Sequence, residues 1–256
     1  MSILRFYKKK TSTSKLLAPS EQDRAYLGIV NVLQDAWQCI YPELCLGCNG
    51  ILNGQEEVLC LNCYSSLDII LGGPDCCLVQ SVFWGRVKID KAYSLLRFSQ
   101  GSITQKLMHS LKYKGDQKTG IWMGKMLAKH LSRCLNSQTW VVVPVPIHPS
   151  KLKKRGFNQT EVIAKGMTID QRYKVDTAAV VRARKGTSLT KLDRNQRSEL
   201  TKSLYQLHPN QTIHGKNVLL LDDVLTTGAT LTSCAQLLQE VGVSQLVICT
   251  LAFSEK

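Results

Sequence analysis

This sequence has no long apolar run, no nucleotide-binding P-loop and few acidic residues. No stretch approaches the roughly 20 apolar residues needed to cross a bilayer, and the N-terminal region lacks an apolar core followed by a small-residue cleavage site. The pattern Gly-x-x-x-x-Gly-Lys-Ser/Thr is also absent, so any ATP-driven step would belong to a partner. Together these absences predict a cytoplasmic protein that spans no membrane.

The shortage of acidic residues is uneven along the chain. There are 19 Asp and Glu against 33 Lys and Arg, which gives a net charge of +14. Residues 91–140 carry a net +8 and residues 141–205 a net +9, whereas residues 41–90 and 206–256 are slightly acidic. A basic middle region fits a polyanionic partner such as nucleic acid. It fits equally a solvated surface or a pocket for pyrophosphate.

The length of 256 residues suffices for one α/β domain and a small additional module. We expect residues 1–40 to form a basic tail followed by an amphipathic helix over about 22–40. A small cysteine module follows over residues 41–80, and the α/β domain covers residues 90–256.

Four cysteines form two Cys-x-x-Cys knuckles separated by residues 49–59. Each knuckle can place two thiolates on one ion, and four thiolates close a tetrahedral zinc site with no open position for catalysis. The spacing therefore predicts a structural zinc ribbon, with a redox pair or a metal-free cluster as the alternatives. The predicted metal ligands are Cys45, Cys48, Cys60 and Cys63.

The remaining cysteines do not extend this pattern. Adjacent cysteines chelate one ion poorly, so Cys76 and Cys77 are interpreted as packing residues or vestigial ligands. The other four, Cys39, Cys134, Cys234 and Cys249, are predicted core thiols.

Strands and helices alternate through the α/β domain, which predicts a doubly wound parallel sheet. Two continuous apolar runs suit strands that are covered on both faces. The predicted strands are Ala92 to Phe98, Trp140 to Val143 and Val218 to Leu221. The predicted helices are Ile103 to Lys114, Ile121 to Leu135, Thr160 to Met167 and Ala229 to Val241.

A sugar-phosphate site is predicted where the last of these strands ends. Asp222 and Asp223 follow its apolar residues, and such acids could accept hydrogen bonds from vicinal hydroxyls, directly or through Mg²⁺. The loop that follows offers hydroxyls, a glycine and the first amides of a helix to a phosphate. Its residues are Thr226, Thr227, Gly228, Ala229 and Thr230. The alternative is a capped turn between a core strand and a helix.

Two basic segments complete the candidate site. The segment after the second strand carries Lys151 and Arg155 on a proline-stiffened loop, where they could neutralise a pyrophosphate leaving group. The alternative there is a solvated basic loop. Residues Arg182 to Arg197 form a second basic segment that either folds over a bound ligand or lines a nucleic-acid groove.

From the apolar strand to Thr230, the chain resembles type I phosphoribosyltransferases. The resemblance implies that Asp222 and Asp223 hold the ribose hydroxyls of phosphoribosyl pyrophosphate (PRPP) as catalytic residues and that the loop from Thr226 holds the 5′-phosphate. Further motifs, together with the four cysteines, resemble the ComF family of competence-associated proteins over about residues 40–253. They are Leu111 to Tyr113, Val143 to Pro146, Arg155 to Gln159, Thr190 through Arg194 to Arg197, and Leu221 to Thr230. Leu189 departs from the family, which usually has glutamine there.

The ComF resemblance implies a cytoplasmic factor of natural transformation that binds PRPP with Mg²⁺. Its expected partners are PRPP or a similar sugar phosphate, single-stranded DNA, and a competence helicase or other DNA-processing proteins. A second hypothesis is an active phosphoribosyltransferase, a glycosyltransferase that acts on an unknown nitrogen acceptor. The donor site is visible in the sequence, but no stretch identifies an acceptor site. A glutamine-dependent amidophosphoribosyltransferase is disfavoured because no N-terminal cysteine nucleophile follows Met1.

Overall fold

The computed structural model of the chain describes residues 42–73, 76–113, 115–182 and 204–255. Nearly all of these lie in one compact unit, Leu44–Lys256; the other unit is Met1–Glu43. The predicted tail, the predicted helix over 22–40 and the predicted Arg182 to Arg197 segment beyond its first residue lie outside the described residues.

Helices and strands alternate as predicted. The described helices are α1 (Leu61–Ser65), α2 (Cys76–Ser81), α3 (Ile103–Tyr113), α4 (Gln117–Leu131), α5 (Pro149–Arg155), α6 (Gln159–Met167) and α7 (Ala229–Glu240). The described strands are β1 (Lys91–Arg97), β2 (Trp140–Pro144), β3 (Tyr173–Val175), β4 (Val180–Arg182), β5 (Tyr205–Leu207), β6 (Asn217–Leu225) and β7 (Gln245–Phe253).

Five of these strands form one parallel sheet in the order β1-β7-β6-β2-β3. β4 and β5 form a separate antiparallel ribbon. Helices α3, α4 and α6 contribute to the hydrophobic core on one face of the sheet, and α7 and the β4–β5 ribbon contribute to the core on the other. Covering on both faces explains why the central strands are continuous apolar runs. The predicted doubly wound α/β fold is confirmed.

The crossing of α4 and α6 depends on two glycines. A Cβ atom on Gly124 would overlap the carbonyl oxygen of Ile163, and a Cβ on Gly166 would overlap the carbonyl oxygen of Ile121. The two backbones therefore approach more closely than any side chain would allow. This approach fixes the position of α6, whose N terminus borders the candidate site described below.

Three predicted elements differ from the structure by more than one residue or in kind, and the strands β3, β4, β5 and β7 were not predicted. Helix α4 begins at Gln117 rather than Ile121, because Asp116 caps it and accepts a hydrogen bond from the Thr119 amide at 3.1 Å. Strand β6 continues beyond Leu221 to Leu225, because it remains paired with β7.

The third difference is the basic loop, part of which is the helix α5. Pro149 stands at its first turn, and Gly156 ends it with a φ of 80°. A proline at the start and a glycine just past the end are the usual helix boundaries, and basic side chains in the last turn complement the helix dipole. The interpretation of this segment as a loop was therefore wrong.

Candidate functional site

A cavity of about 300 Å³ opens at the step between β2 and β6. β2 pairs with β6 only as far as Pro144 opposite Leu221, whereas β6 continues for four more residues beside β7. The chain leaves β2 toward β3 on one side and leaves β6 toward β7 on the other, so this step is the point where the direction of winding reverses. Ligands of open α/β sheets bind at that point.

The acidic wall of the cavity is formed by Asp222 and Asp223 from the extended end of β6. Successive strand residues point to opposite faces, but both side chains border the cavity at this end of the strand. Asp223 forms an ion pair with Lys112 of α3 at 2.9 Å, and both side chains are mostly buried. The Asp223 amide donates a hydrogen bond to the Asp222 carboxylate at 2.8 Å.

The two carboxylates differ in their proton affinity. Burial, reinforced by the charge of Asp223, raises the pKa of Asp222 to about 8, although Lys112 and Lys151 act in the opposite direction. An acid that keeps its proton near neutral pH can donate a hydrogen bond to a ligand as well as accept one. Perturbed carboxyls in clefts are typical of functional sites.

The basic wall comes from α5, which carries Lys151 and Arg155 into the same cavity. The guanidinium of Arg155 also lies 5.6 Å from the ring centroid of Tyr113, in cation–π contact. Arg155 therefore connects the cavity with the exposed end of α3. The ring of His109 packs against the same tyrosine with centroids 4.8 Å apart.

The N terminus of α6 is held against the exit of β2. Asn158 and Thr160 both donate hydrogen bonds to the carbonyl oxygen of Val145, at 3.2 and 2.8 Å. Asn158 also caps the helix by accepting from the Thr160 amide at 3.2 Å. All three residues line the cavity together with Gln159.

The β4–β5 ribbon supplies the remaining described wall. Arg182 donates a hydrogen bond to the hydroxyl of Tyr205 at 3.1 Å, and both residues line the cavity with Thr230 of α7. Burial raises the pKa of Tyr205, although Arg182 and a hydrogen bond with Thr230 oppose the rise. Thr230 is thus the loop residue that reaches both the ribbon and the acidic wall.

The predicted phosphate loop divides between two cavities. Thr226 and Thr227 border a neighbouring cavity of about 320 Å³ with Arg86, whose guanidinium donates to the carbonyl oxygen of Thr227 at 2.7 Å. Gly228 has a φ of 71° and stands at the N-cap of α7 without a side-chain cap. A Cβ atom there would lie 2.8 Å from Val82 Cγ1, so the loop needs glycine for two reasons.

The four predicted zinc ligands converge as the spacing requires. Their sulfur atoms all lie within 4.8 Å of one another, which fits a single tetrahedral ion. The amides of Gly47 and Cys60 donate to Cys45 Sγ at 3.3 and 3.2 Å, and the Gly50 amide donates to Cys48 Sγ at 3.4 Å. Such donors stabilise thiolates, so the donor set suits zinc.

The pKa values of two of these thiols diverge. Burial raises the pKa of Cys45, but backbone amides, chiefly that of Cys60, outweigh it and lower the value to about 6. Burial, with hydrogen bonds from the neighbouring cysteines, raises the pKa of Cys63 to about 12. Among the described residues, the four cysteines are the one group of three or more His, Cys, Asp or Glu side chains whose ligand atoms lie close enough together to share an ion.

Sequence reasoning missed several residues of the site. Lys112 and Gln159 belong to motifs of the ComF resemblance, but the sequence predicted no role for either. The packing of α3 places Lys112 beside Asp223, and α6 places Gln159 on the cavity. Tyr205 and Arg86 carried no sequence signal, since each reaches the site through a contact distant in sequence.

The acids, the loop and the basic wall all lie in the part of the chain that matches a known protein family. The model of the phosphoribosyl transferase domain matches residues 124–256, just over half of the chain. The chain belongs to this family. The match begins within α4 and includes β2, the basic helix α5, both acids and the loop before α7.

Curated relatives of this phosphoribosyl transferase family member are competence and DNA-utilization proteins. Competence protein ComFC of Bacillus subtilis (strain 168) is 25% identical over 207 residues, which cover 73% of this chain and 80% of that protein. Competence protein F of Haemophilus influenzae is 23% identical and aligns over 84% of this chain and 96% of its own length. DNA utilization protein YhgH of Escherichia coli (strain K12) is 26% identical over 56% of this chain and 63% of that protein. The resemblance to the ComF family is confirmed.

Solved structures similar to this phosphoribosyl transferase family member include a hypoxanthine-guanine phosphoribosyltransferase from Bacillus anthracis. It is 18% identical, with a TM-score of 0.36, and the match covers 54% of this chain and 70% of that one. The sheet order and the family match show the fold. In the part of the chain that the structure describes, no helix is long and apolar enough to span a bilayer.

Proposed function

We propose that this ComF-type protein binds PRPP with Mg²⁺ in the cavity between β2 and β6 and acts in the handling of incoming single-stranded DNA. The observation that carries the proposal is the convergence of Lys151, Arg155, Asp222, Asp223 and Thr230 on one cavity. Acidic side chains form one of its walls and basic side chains form another. A ribose that carries both free hydroxyls and a pyrophosphate matches both walls at once.

In this proposal, Asp222 and Asp223 accept hydrogen bonds from the ribose hydroxyls. Their oxygens are also the ligands that Mg²⁺ prefers, and the ion supplies positive charge to the pyrophosphate when bound. Lys151 and Arg155 neutralise the pyrophosphate. The 5′-phosphate extends from this cavity toward the neighbouring one, where the first turn of α7, which has no side-chain cap, and Thr226 to Thr230 hold it.

The proposed DNA surface lies beside this cavity. Tyr113 is 62% exposed, and His109, Lys153 and Lys154 are exposed on α3 and α5. Exposed aromatic rings among basic side chains are the usual platform for single-stranded nucleic acid, because bases stack while cations follow the backbone. Arg155 contacts Tyr113 and lines the cavity, so occupation of the cavity bears directly on this surface. The names of the relatives, competence proteins and DNA utilization proteins, support this proposal.

Calorimetric titration of the zinc-loaded protein with PRPP and Mg²⁺ tests the first half. We expect saturable binding that is lost in the Asp222→Asn/Asp223→Asn variant while its circular dichroism spectrum is unchanged. Unchanged affinity in that variant contradicts the site. Pyrophosphate release is followed in the same samples with nucleobases and simple amines. Release with one acceptor would establish a transferase, and binding without release would establish a sensor or scaffold.

Fluorescence anisotropy with labelled single-stranded DNA tests the second half. We expect affinity to fall steeply between 50 and 200 mM salt, as release of counterions requires. Tyr113→Ala should weaken binding by roughly 1–3 kcal/mol if a base stacks on the ring. Trp84→Ala, a change at another strongly exposed aromatic residue, is the matched control. Equal losses of DNA affinity in the two variants would contradict the assignment of this surface to DNA binding.

A further inference from the structure

Gln159 combines two properties that rarely occur together. Its side chain is 3% exposed, and its Nε2 atom has no hydrogen-bond partner among the described residues. A buried amide without a partner is unfavourable, and native proteins rarely keep one without a reason. Gln159 also lines the cavity between β2 and β6.

Gln159 differs both from its neighbours in the chain and from the other buried polar groups without a partner. Its neighbours Asn158 and Thr160 are fully engaged, both donating to the carbonyl oxygen of Val145. Four other described side chains have a buried polar atom without a partner, and none of them lines this cavity; they are Trp140, Tyr173, Thr232 and Thr250. Among the described residues, Gln159 is thus the one that has a buried polar atom without a partner and also lines this cavity.

The position of Gln159 identifies the part of the ligand it would meet. It is the first residue of α6 and lines the cavity together with Lys151 and Arg155 of α5, whereas the two acids come from β6. The first amides of a helix and two cations favour an anion in this part of the cavity. A neutral donor adds a hydrogen bond to that anion without the cost of burying a third charge.

We propose that the carboxamide of Gln159 donates a hydrogen bond to the pyrophosphate of bound PRPP and is a specificity-determining residue. This inference rests on the proposed function. It adds that Gln159 distinguishes a ribose that carries a 1-pyrophosphate from one that does not. PRPP and ribose 5-phosphate share the ribose and the 5′-phosphate. An interaction with the pyrophosphate therefore affects the binding of PRPP alone.

The test compares PRPP with ribose 5-phosphate, each titrated with Mg²⁺ into the zinc-loaded full-length protein and its Gln159→Met variant. Methionine keeps the length of the side chain and removes its donors. We expect the affinity for PRPP to fall on the order of 10- to 100-fold, as for loss of a hydrogen bond to a charged group. The affinity for ribose 5-phosphate should stay within about twofold. The melting temperature of the ligand-free variant should not fall, because an unpaired buried amide has been removed.

Two further variants complete the experiment. Gln159→Glu places a carboxylate beside the pyrophosphate and should lower the PRPP affinity at least as far, which keeps the test decisive if Gln159→Met folds poorly. Gln206→Met, the same change at an exposed glutamine of β5, should leave both affinities unchanged.

The inference is overturned if Gln159→Met retains its PRPP affinity, or if both ligands lose affinity equally, which would indicate a structural role. Failure of the unsubstituted protein to bind PRPP at all would instead overturn the proposed function. The two failures are therefore distinguishable.

Discussion

At the scale of single residues, Asp222 is an acid of the site whose folded environment disfavours its ionised form. Its pKa of about 8 in the folded protein compares with an ordinary value of 3.8, so folding makes it hold its proton more tightly. Between these two values the unfolded chain has released a proton that the folded chain retains. Stability therefore falls as the pH rises through this window. An acid that is kept at this position to bind a ligand therefore lowers the folding stability of the protein.

Asp222→Asn should remove this pH dependence. Because asparagine cannot ionise, we expect the variant to be more stable than the parent at pH 8 by roughly 1 kcal/mol or more, with the difference shrinking toward pH 4. Urea unfolding without Mg²⁺ at pH 5, 6.5 and 8 measures the effect. Parallel pH profiles of the two proteins would show that Asp222 ionises normally.

Lys112 should matter through Asp223. Lys112→Met breaks the 2.9 Å ion pair and leaves a mostly buried carboxylate without its cation, for an expected loss of about 1–3 kcal/mol of folding stability. Asp223→Asn should remove most of this loss when the two changes are combined. A double-mutant cycle by chemical denaturation gives the coupling energy. Strict additivity would mean that the pair contributes nothing.

At the scale of elements, the crossing of α4 and α6 allows no side chain at its centre. Gly124→Ala would force the helices apart, because the new methyl group overlaps the backbone of Ile163. We expect a loss of about 1–3 kcal/mol or more. Gly54→Ala, where no atom lies within 4 Å of the added carbon, is the control. Equal denaturation midpoints for the two variants would contradict the packing argument.

The loop before α7 is fixed by the segment after α2. Gly228→Ala strains a φ of 71° and presses the new carbon against Val82. We expect the affinity for PRPP to fall more than tenfold, since a shift of the loop amides weakens every contact with the phosphate. Arg86→Ala should give a smaller loss because only the hydrogen bond to the Thr227 carbonyl disappears. Calorimetry of both variants checks this order, and the reverse order would exclude the proposed role of the glycine.

At the scale of the whole molecule, the cysteine knuckles and the sheet share one core. Cys45 and Cys63 are buried in the same cluster as Leu95 of β1 and Leu107 of α3. Lys106 donates to the carbonyl oxygen of Gly47 at 2.5 Å. Helix α3, which carries Lys106, also carries Lys112, the partner of Asp223. Loss of the metal should therefore disturb the rest of the compact unit.

Cys45→Ser tests this connection. We expect loss of the bound zinc, a lower melting temperature for the whole cooperative transition, and weaker binding of PRPP. Cys77→Ser, at an exposed cysteine outside the cluster, should change none of the three. Zinc content by mass spectrometry and melting by calorimetry decide the matter. Unchanged metal content in Cys45→Ser would refute the zinc ribbon.

The sequence by itself determined what depends on short-range pattern. Continuous apolar runs indicated the buried strands, and the cysteine spacing indicated a four-thiolate cluster. The acids and the glycine loop predicted a sugar-phosphate site because strand, carboxylates and loop follow one another in the chain. The boundaries of α4 and α5 were also within reach, since Asp116, Pro149 and Gly156 are ordinary helix-end signals.

Only the tertiary structure decided what depends on residues far apart in the chain. The overhang of β6 beyond β2 exists because β7 pairs with it, and that overhang opens the cavity. The partners of the loop and of the acids, Arg86, Lys112 and Tyr205, reach them across many residues. The burial of the Gln159 amide without a partner depends on how α6 packs against the rest of the unit, which no local pattern predicts. Periodicity and spacing describe one element at a time, whereas a binding site arises where several elements meet.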